Sequence, residues 1–391
     1  MFAFARRPAL VSVAFTVLFL IPAPTRAQSP PPSSLGITAY DGAVPFRLEN
    51  GLLYLAGSFG SSPQLSFVVD TGATATSLDP AVAHAAGYTT GKSMQFVVAR
   101  RTFPQQSFSL ASTAYITGLS GHPTAGVVGQ PQLLRYSLAV DFDRKQAALL
   151  SPDICPSSAA RLPLFSAGGL PFVEGTLSLA GGDTATGLFL VDTGQPGPGI
   201  VLAAAFFAAH PGLATGPKLE RPATKNTAAM TLIRLQDLRL GPLTLHAPIA
   251  EVESAGPSAG NPRLAGVLGL EALSRFNFVL NQRYASLYLE PNQRTHAPFE
   301  SDMSGLVLTA TPGGASDGKL VIAAVMPGSP ASDAGVQPGD VLIRMEDKPL
   351  VAANLGSVSA ALRSAPGNLV HLEVERNGKP EHLTLRLKRM L

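Results

Sequence analysis

Phe67-Val68-Val69-Asp70-Thr71-Gly72 and Phe189-Leu190-Val191-Asp192-Thr193-Gly194 are two copies of one pattern, an apolar run that ends in Asp-Thr-Gly. Each copy is followed by a second matched signature, Ala125-Gly126-Val127-Val128-Gly129 and Ala265-Gly266-Val267-Leu268-Gly269. Each is preceded by a related tripeptide, Val44-Pro45-Phe46 and Leu170-Pro171-Phe172. Three signals in the same order, twice, describe an internal duplication with a period near 120 residues, far longer than a solenoid repeat. Two related lobes about a pseudo-twofold axis bring Asp70 and Asp192 together.

Two carboxylates about 3 Å apart cannot both ionise, so over a broad pH range one is neutral and one charged. The charged member takes a proton from a bound water as that water attacks a carbonyl carbon, and the neutral member donates to the developing oxyanion. Such a site needs neither a metal ion nor a covalent nucleophile. The neighbouring residues suit this chemistry, since a threonine hydroxyl can brace the opposite loop and a glycine lets backbone approach a carboxylate closely.

These motifs resemble the aspartic proteases of the pepsin and retropepsin type, in the single-chain bacterial form with two lobes and a trailing PDZ domain. The resemblance covers roughly residues 36 to 295. It implies a mainly β, two-lobed pepsin-like acid-protease fold, with Asp70 and Asp192 as the catalytic pair. Thr71, Gly72, Ala73, Thr193, Gly194 and Gln195 then support the active-site loops. Val127, Val128 and Gly129, with Val267, Leu268 and Gly269, pack beneath them. The family has Ala, Ser or Thr after the glycine: Ala73 fits, whereas Gln195, followed by Pro196-Gly197-Pro198-Gly199, departs. A long amide there is placed either to donate to Asp192 or to crowd a substrate. Ala73 lacks the hydroxyl of acid-adapted relatives, which implies a mildly acidic to neutral optimum. Between each Asp-Thr-Gly and its partner the resemblance implies a flap hairpin, for which Lys92 to Gln106 and Lys218 to Leu232 are the candidates.

The amino terminus is a separate object. Arg6 and Arg7 precede an apolar stretch, Ala9 to Ile21, too short to span a bilayer, and Thr25-Arg26-Ala27 offers a small-residue cleavage site. Residues 1–27 are expected to be a secretory signal peptide, the alternative being an uncleaved anchor, which places the protein in the periplasm or outside the cell. The leader carries three arginines and no acidic residue, so the remainder of a chain of formal charge +3 is neutral. A neutral chain offers nothing for nucleic acid or an acidic membrane surface to recognise. After cleavage no integral membrane segment is expected. Cys155 is the single cysteine, so no intrachain disulfide forms.

Residues 28–36 form a Pro/Ser tether, and residues 37–155 and 156–295 the two lobes. Runs such as Leu52 to Leu55 and Leu65 to Val69 read as strands, and Pro80 to Ala86 and Ala203 to His210 as short helices after the Asp-Thr-Gly loops. The lobes close with Leu138 to Asp143 and Ala147 to Leu150, and with Phe276 to Leu280 and Ala285 to Leu289. Segments 152–168 and 291–303 read as linkers. Over residues 304–391, Gly328-Ser329-Pro330-Ala331, Ala334-Gly335 and Pro338-Gly339-Asp340-Val341-Leu342 resemble bacterial protease-associated PDZ domains. That resemblance puts Gly305, Leu306, Val307 and Leu308 where a peptide's terminal carboxylate would be held. The loop lacks the second glycine of the usual form. The alternative is a docking module for the lobes. Leu369 to Val374 and His382 to Leu387 alternate about Asn377-Gly378, the signature of a hairpin.

Other signals carry less. Ala86 to Ser93 satisfies a relaxed phosphate-loop pattern but follows a helix rather than a buried strand. The seven histidines show no metal-ligand spacing, and no Gly-x-Ser-x-Gly elbow is present. Asp79 and Asp183 suit caps or turns. The sequence therefore implies an exported aspartic endopeptidase acting on peptides or unfolded protein, with a C-terminal peptide as the ligand of the PDZ domain and no cofactor or metal. The alternative is an inactive peptide-binding scaffold that holds extended chains without cutting them.

Overall fold

The computed structural model describes residues 42–156, 159–225, 227–253, 263–311 and 318–391. The leader and tether expected over residues 1–36 lie outside the described residues. The molecule is mostly β, with two related lobes followed by a third domain.

In lobe one, β1 (Leu52–Phe59) and β2 (Leu65–Val69) form an antiparallel hairpin. Beyond Asp70 the chain turns into β3 (Ser77–Leu78) and α1 (Pro80–Ala85), a helix capped by Asp79, whose carboxylate accepts from the Ala81 amide. The hairpin β4 (Met94–Val98) and β5 (Arg101–Gln106) and helix α2 (Ala114–Ser120) lead to β6 (Gly126–Val128) and α3 (Gln130–Leu133). Strand β6 slots between β2, to which it is parallel, and β3, to which it is antiparallel. This fit demands glycine: a Cβ on Gly126 would stand 2.1 Å from the Ser77 carbonyl oxygen. Strands β7 (Ser137–Asp141) and β8 (Gln146–Leu150) close the lobe.

Lobe two repeats the plan with β9 (Leu170–Ser178), β10 (Thr184–Val191), β11 (Gly199–Leu202) and α4 (Ala204–Ala209). Two hairpins follow, β12 (Lys218–Arg221) with β13 (Met230–Arg234), and β14 (Asp237–Leu240) with β15 (Leu243–His246). Then come β16 (Ile249–Val252), β17 (Leu264–Leu268), α5 (Leu270–Leu273), β18 (Phe276–Asn281) and β19 (Ser286–Pro291). Strand β17 lies between β10 and β11 with the same sense as its counterpart, and a Cβ on Gly266 would come within 1.8 Å of the Val201 carbonyl oxygen. The upstream tripeptides are not equivalent, since Val44–Pro45 pairs with β8 whereas Leu170-Pro171-Phe172 opens β9.

The lobes join through one sheet. Strand β7 pairs with β18 across the boundary, Ala139 facing Val279, with β8 and β19 outside them. Alternate residues bury on opposite faces: Leu138, Val140, Phe278 and Leu280 enter the main core, while Ala139, Ala148, Val279 and Tyr288 form a second cluster with Cys155. Part of the expected linker over 152–168 is instead a strand, Ala160–Ala167, pairing with β19 and then β9. Its Leu162 and Leu164 are buried, and that burial outweighs its Arg and Pro content.

The third domain has its own core and a five-strand order β20 (Leu306–Ala310), β21 (Leu320–Val325), β22 (Val341–Met345), β23 (Leu369–Arg376), β24 (Lys379–Arg386), with α6 (Pro330–Asp333) and α7 (Leu355–Ala361). Asn377 and Gly378 both take positive φ at the expected hairpin turn. Among the described residues no helix is long and apolar enough to cross a membrane.

Gly126→Ala tests the slotted strand. Its Cβ has nowhere to go, and a loss of about 2–3 kcal/mol is expected in urea denaturation.

Candidate active site

Each Asp-Thr-Gly loop is held from beneath by the apolar-Gly segment of its own lobe. The Asp70 amide donates to the Val128 carbonyl and the Asp192 amide to the Leu268 carbonyl, both at 3.0 Å. Val128 and Leu268 are fully buried, and Val127 and Val267 flank them in β6 and β17. Gly129 and Gly269 press against the returning loops: added Cβ atoms would lie 2.7 Å from the Ala73 carbonyl and 2.9 Å from that of Gln195. The backbones of Ala73 and Gln195 are thus equivalent, accepting from the amides of Gln130 and Leu270 respectively.

The two loops then bond to each other. Thr71 Oγ1 donates to the Val191 carbonyl at 2.6 Å and accepts from the Thr193 amide at 3.0 Å. Thr193 Oγ1 donates to the Val69 carbonyl at 2.7 Å and accepts from the Thr71 amide at 3.2 Å. Both threonines are fully buried, so their hydroxyls are committed to this reciprocal brace.

The brace sets the aspartates side by side. The Gly72 amide donates to Asp70 Oδ1 and the Gly194 amide to Asp192 Oδ1, each at 2.8 Å. Each glycine also abuts the opposite carboxylate: a Cβ on Gly72 would lie 2.5 Å from Asp192 Oδ2, and one on Gly194 2.4 Å from Asp70 Oδ2. Asp70 and Asp192 thus face each other across the two glycines, close enough for each carboxyl to feel the other. Burial pushes the Asp70 carboxyl above the ordinary carboxylate range. Burial and the adjacent charge of Asp70 push Asp192 well above it. The pair therefore holds one proton to a higher pH than free carboxyls would, and that proton belongs to the pair. The arrangement can accept one proton and donate another at the same point.

Gln195 is not seen to donate to Asp192. Its Nε2 donates to the Pro196 carbonyl at 2.9 Å and its stem packs toward Gly269. The lobe-one flap candidate forms a hairpin that turns through Ala99 and Arg100, both at positive φ, without glycine. It does not reach the aspartates: β4 pairs with the far end of β1, and Arg101 Nε donates to the Leu149 carbonyl of the inter-lobe sheet. Its counterpart in lobe two is β14–β15, which pairs with β9 in the same way. The lobe-two candidate, β12–β13, is differently placed, beside β16, which runs parallel to β11 after the Asp192 loop.

Sequence reasoning passed over three groups near the loops. Gln130 Nε2 donates to the Thr71 carbonyl, and its Oε1 accepts from Gln282 Nε2 at 2.7 Å, a bridge between lobes. Buried Glu251 pairs with Arg221 at 3.1 Å and lies 3.6 Å from where a Cβ on Gly197 would stand; burial raises its carboxyl and Arg221 opposes the rise. A lone carboxylate in Ile249-Ala250-Glu251-Val252 was the available signal. Burial raises the Tyr115 hydroxyl of α2 in lobe one, with smaller and opposing effects from the charges of Arg221 and Glu251.

A sequence model of the PDZ domain family matches residues 321–376. Among curated proteins the chain is similar to the carboxy-terminal processing protease CtpB of Bacillus subtilis (strain 168), 30% identical over 76 residues, which are 19% of this chain and 16% of that protein. The chain thus matches a small part of that relative's length. Among solved structures it is similar to an aspartic proteinase from Irpex lacteus, with a TM-score of 0.42 and 15% identity over 66% of this chain and 99% of the other. It is also similar to the photosystem II D1 C-terminal processing protease, with a TM-score of 0.22 and 22% identity over 31% and 30% of the two chains.

Thr193→Val removes one hydroxyl from the brace and leaves the Thr71 amide and Val69 carbonyl buried without it, a cost of about 3 kcal/mol. Thr71→Val should cost the same and the double variant less than twice that, measured by denaturant unfolding.

The dyad also makes stability depend on pH. Carboxyls raised above the ordinary value of 3.8 favour the folded state fully below that value, and the gain is lost as pH climbs through the folded-state values. Asp192→Asn, which cannot ionise, should raise the thermal midpoint at pH 7 by about 2–4 °C. At pH 3 the difference from wild type should vanish.

Proposed function

We propose that this chain is an exported aspartic-type endopeptidase acting on peptides or unfolded protein. The observation that carries the reading is the pair of aspartates, each from its own copy of the duplicated loop, each against the glycine of the opposite loop and both fixed by the threonine brace. In the proposed step the charged carboxylate takes a proton from water as its oxygen bonds to the peptide carbonyl carbon. The neutral carboxyl gives its proton to the carbonyl oxygen. Collapse of the tetrahedral intermediate breaks the carbon–nitrogen bond, and a proton passes from the dyad to the leaving amine. Water supplies the hydroxyl and the hydrogen of the two products. Export rests on the leader over residues 1–27 and gives a periplasmic or secreted protein. The C-terminal PDZ domain is the peptide-binding module of this reading.

Asp70→Asn and Asp192→Asn should each lower turnover of a peptide library on the order of 10³-fold, with the fold retained. Unequal effects, with one variant near full activity, would exclude a shared-proton mechanism. Retention of peptides without cleavage by wild type would instead establish a scaffold.

A further inference from the structure

Strand β20 is the edge of the C-terminal sheet, with α7 beside it, the arrangement by which an extended peptide adds as a further strand. Lobe one already lies on this edge. Thr309 Oγ1 of β20 donates to the Gly118 carbonyl of α2 at 3.3 Å. A Cβ on Gly118 would stand 3.1 Å from Thr309 Oγ1 and 3.4 Å from the Ala310 carbonyl oxygen. At the end of α2, Gly121 takes φ +72°, and a Cβ there would lie 2.2 Å from the Ala352 carbonyl oxygen and 2.9 Å from Leu355 Cβ. Two glycines one helical turn apart thus let α2 approach both the edge strand and the first turn of α7.

Helix α2 is a fixed part of lobe one. Tyr54 Oη donates to Ser120 Oγ at 2.8 Å, Asn50 Nδ2 donates to the Leu119 carbonyl at 2.7 Å, and Asp79 accepts from the Thr113 amide at 3.0 Å. The connecting segment is tied down as well. Buried Arg275 stacks on Phe299 at 3.9 Å and donates to the carbonyls of Arg294, Ala297 and Pro298. Arg234 of lobe two donates to the carbonyls of Phe299 and Leu391.

The loop before β20 is equally occupied. The Asp302 carboxylate accepts from the amides of Ser304 and Gly305 at 2.9 and 2.6 Å, and the Leu306 amide donates to Ser304 Oγ at 3.1 Å. Of the amides expected to hold a terminal carboxylate at Gly305 to Leu308, that of Gly305 is already spent on the Asp302 carboxylate and that of Leu306 on the Ser304 hydroxyl.

We propose that the peptide-accepting edge of the C-terminal domain is an intramolecular docking site for α2. The domain is masked by lobe one, and a peptide that displaces α2 is read as an added strand and not by its terminal carboxylate. The proposal rests on the peptide-binding reading of the domain given above.

Gly118→Arg in the full chain tests it, because arginine favours a helix and disturbs only the face turned toward β20. Thr309→Arg attacks the same contact from the other side. Hydrogen exchange at residues 306–310 and 116–121 should speed at least about 10-fold in both variants, while β23, β24, β2 and β6 keep their protection. A library of random decapeptides, prepared as free acids and as amides, should be retained at least about tenfold better by Gly118→Arg than by wild type, acids and amides alike. Unchanged exchange and retention would overturn the proposal. So would wild type that holds acids tenfold better than amides. Faster exchange with no peptide retained by any form would support the docking contact and remove peptide binding from the proposed function, independently of the aspartate variants.

Discussion

The reciprocal brace between Thr71 and Thr193 is the constraint around which the two lobes are organised. Each hydroxyl spends its proton on a carbonyl that precedes the opposite aspartate and its lone pair on the opposite threonine amide. Neither loop can satisfy its buried groups without the other, so the lobes must meet at one position within a fraction of an ångström. The continuous pairing of β7 with β18 fixes that position from below. The glycines in β6 and β17 fix it from the sides by admitting a strand where a methyl group would not fit.

Around this shared centre the lobes have drifted apart. Lobe one fills the space under its loop with polar side chains: Gln130 reaches the Thr71 carbonyl, and Thr76 accepts from the Gly129 amide and donates to buried Gln132. Lobe two has Leu270 where lobe one has Gln130, and there the Gly269 amide turns to the Gly199 carbonyl. The polar solution brings Gln130 within reach of Gln282 and so adds a tie between lobes. Gln195, chemically unlike Ala73, keeps the same backbone bonds by folding its amide back onto Pro196.

The paired motifs announced the duplicated loops and the two short helices that follow them, and Asn377-Gly378 announced the terminal hairpin, because each is a local pattern with its own turn chemistry. What stayed hidden was long-range. The hairpin at 94–106 lies in the expected stretch of chain, but which edge it joins depends on β1, some 40 residues upstream. The strand at 160–167 looked like a linker because it carries Arg161, Pro163 and Ser166 at exposed positions and its first partner, β19, is distant in sequence. Gln282 and Asp302 belong to no motif, and only the folded chain shows that the first donates to the Gln130 side chain across the lobes and the second accepts from the amides of Ser304 and Gly305.

The unequal placement of the hairpins has a consequence for direction. Two aspartates related by a twofold axis present the same face to a polypeptide whichever way it runs, from amino to carboxyl end or the reverse. Here β12–β13 and the Arg221–Glu251 pair stand on the lobe-two side alone, and α2 with Tyr115 on the lobe-one side. A peptide laid across the pair in the proposed reaction would meet different walls before and after its midpoint. In the proposed peptidase the polarity of a substrate strand would therefore be set by the surroundings that the duplication failed to preserve, and not by the symmetric centre that it kept.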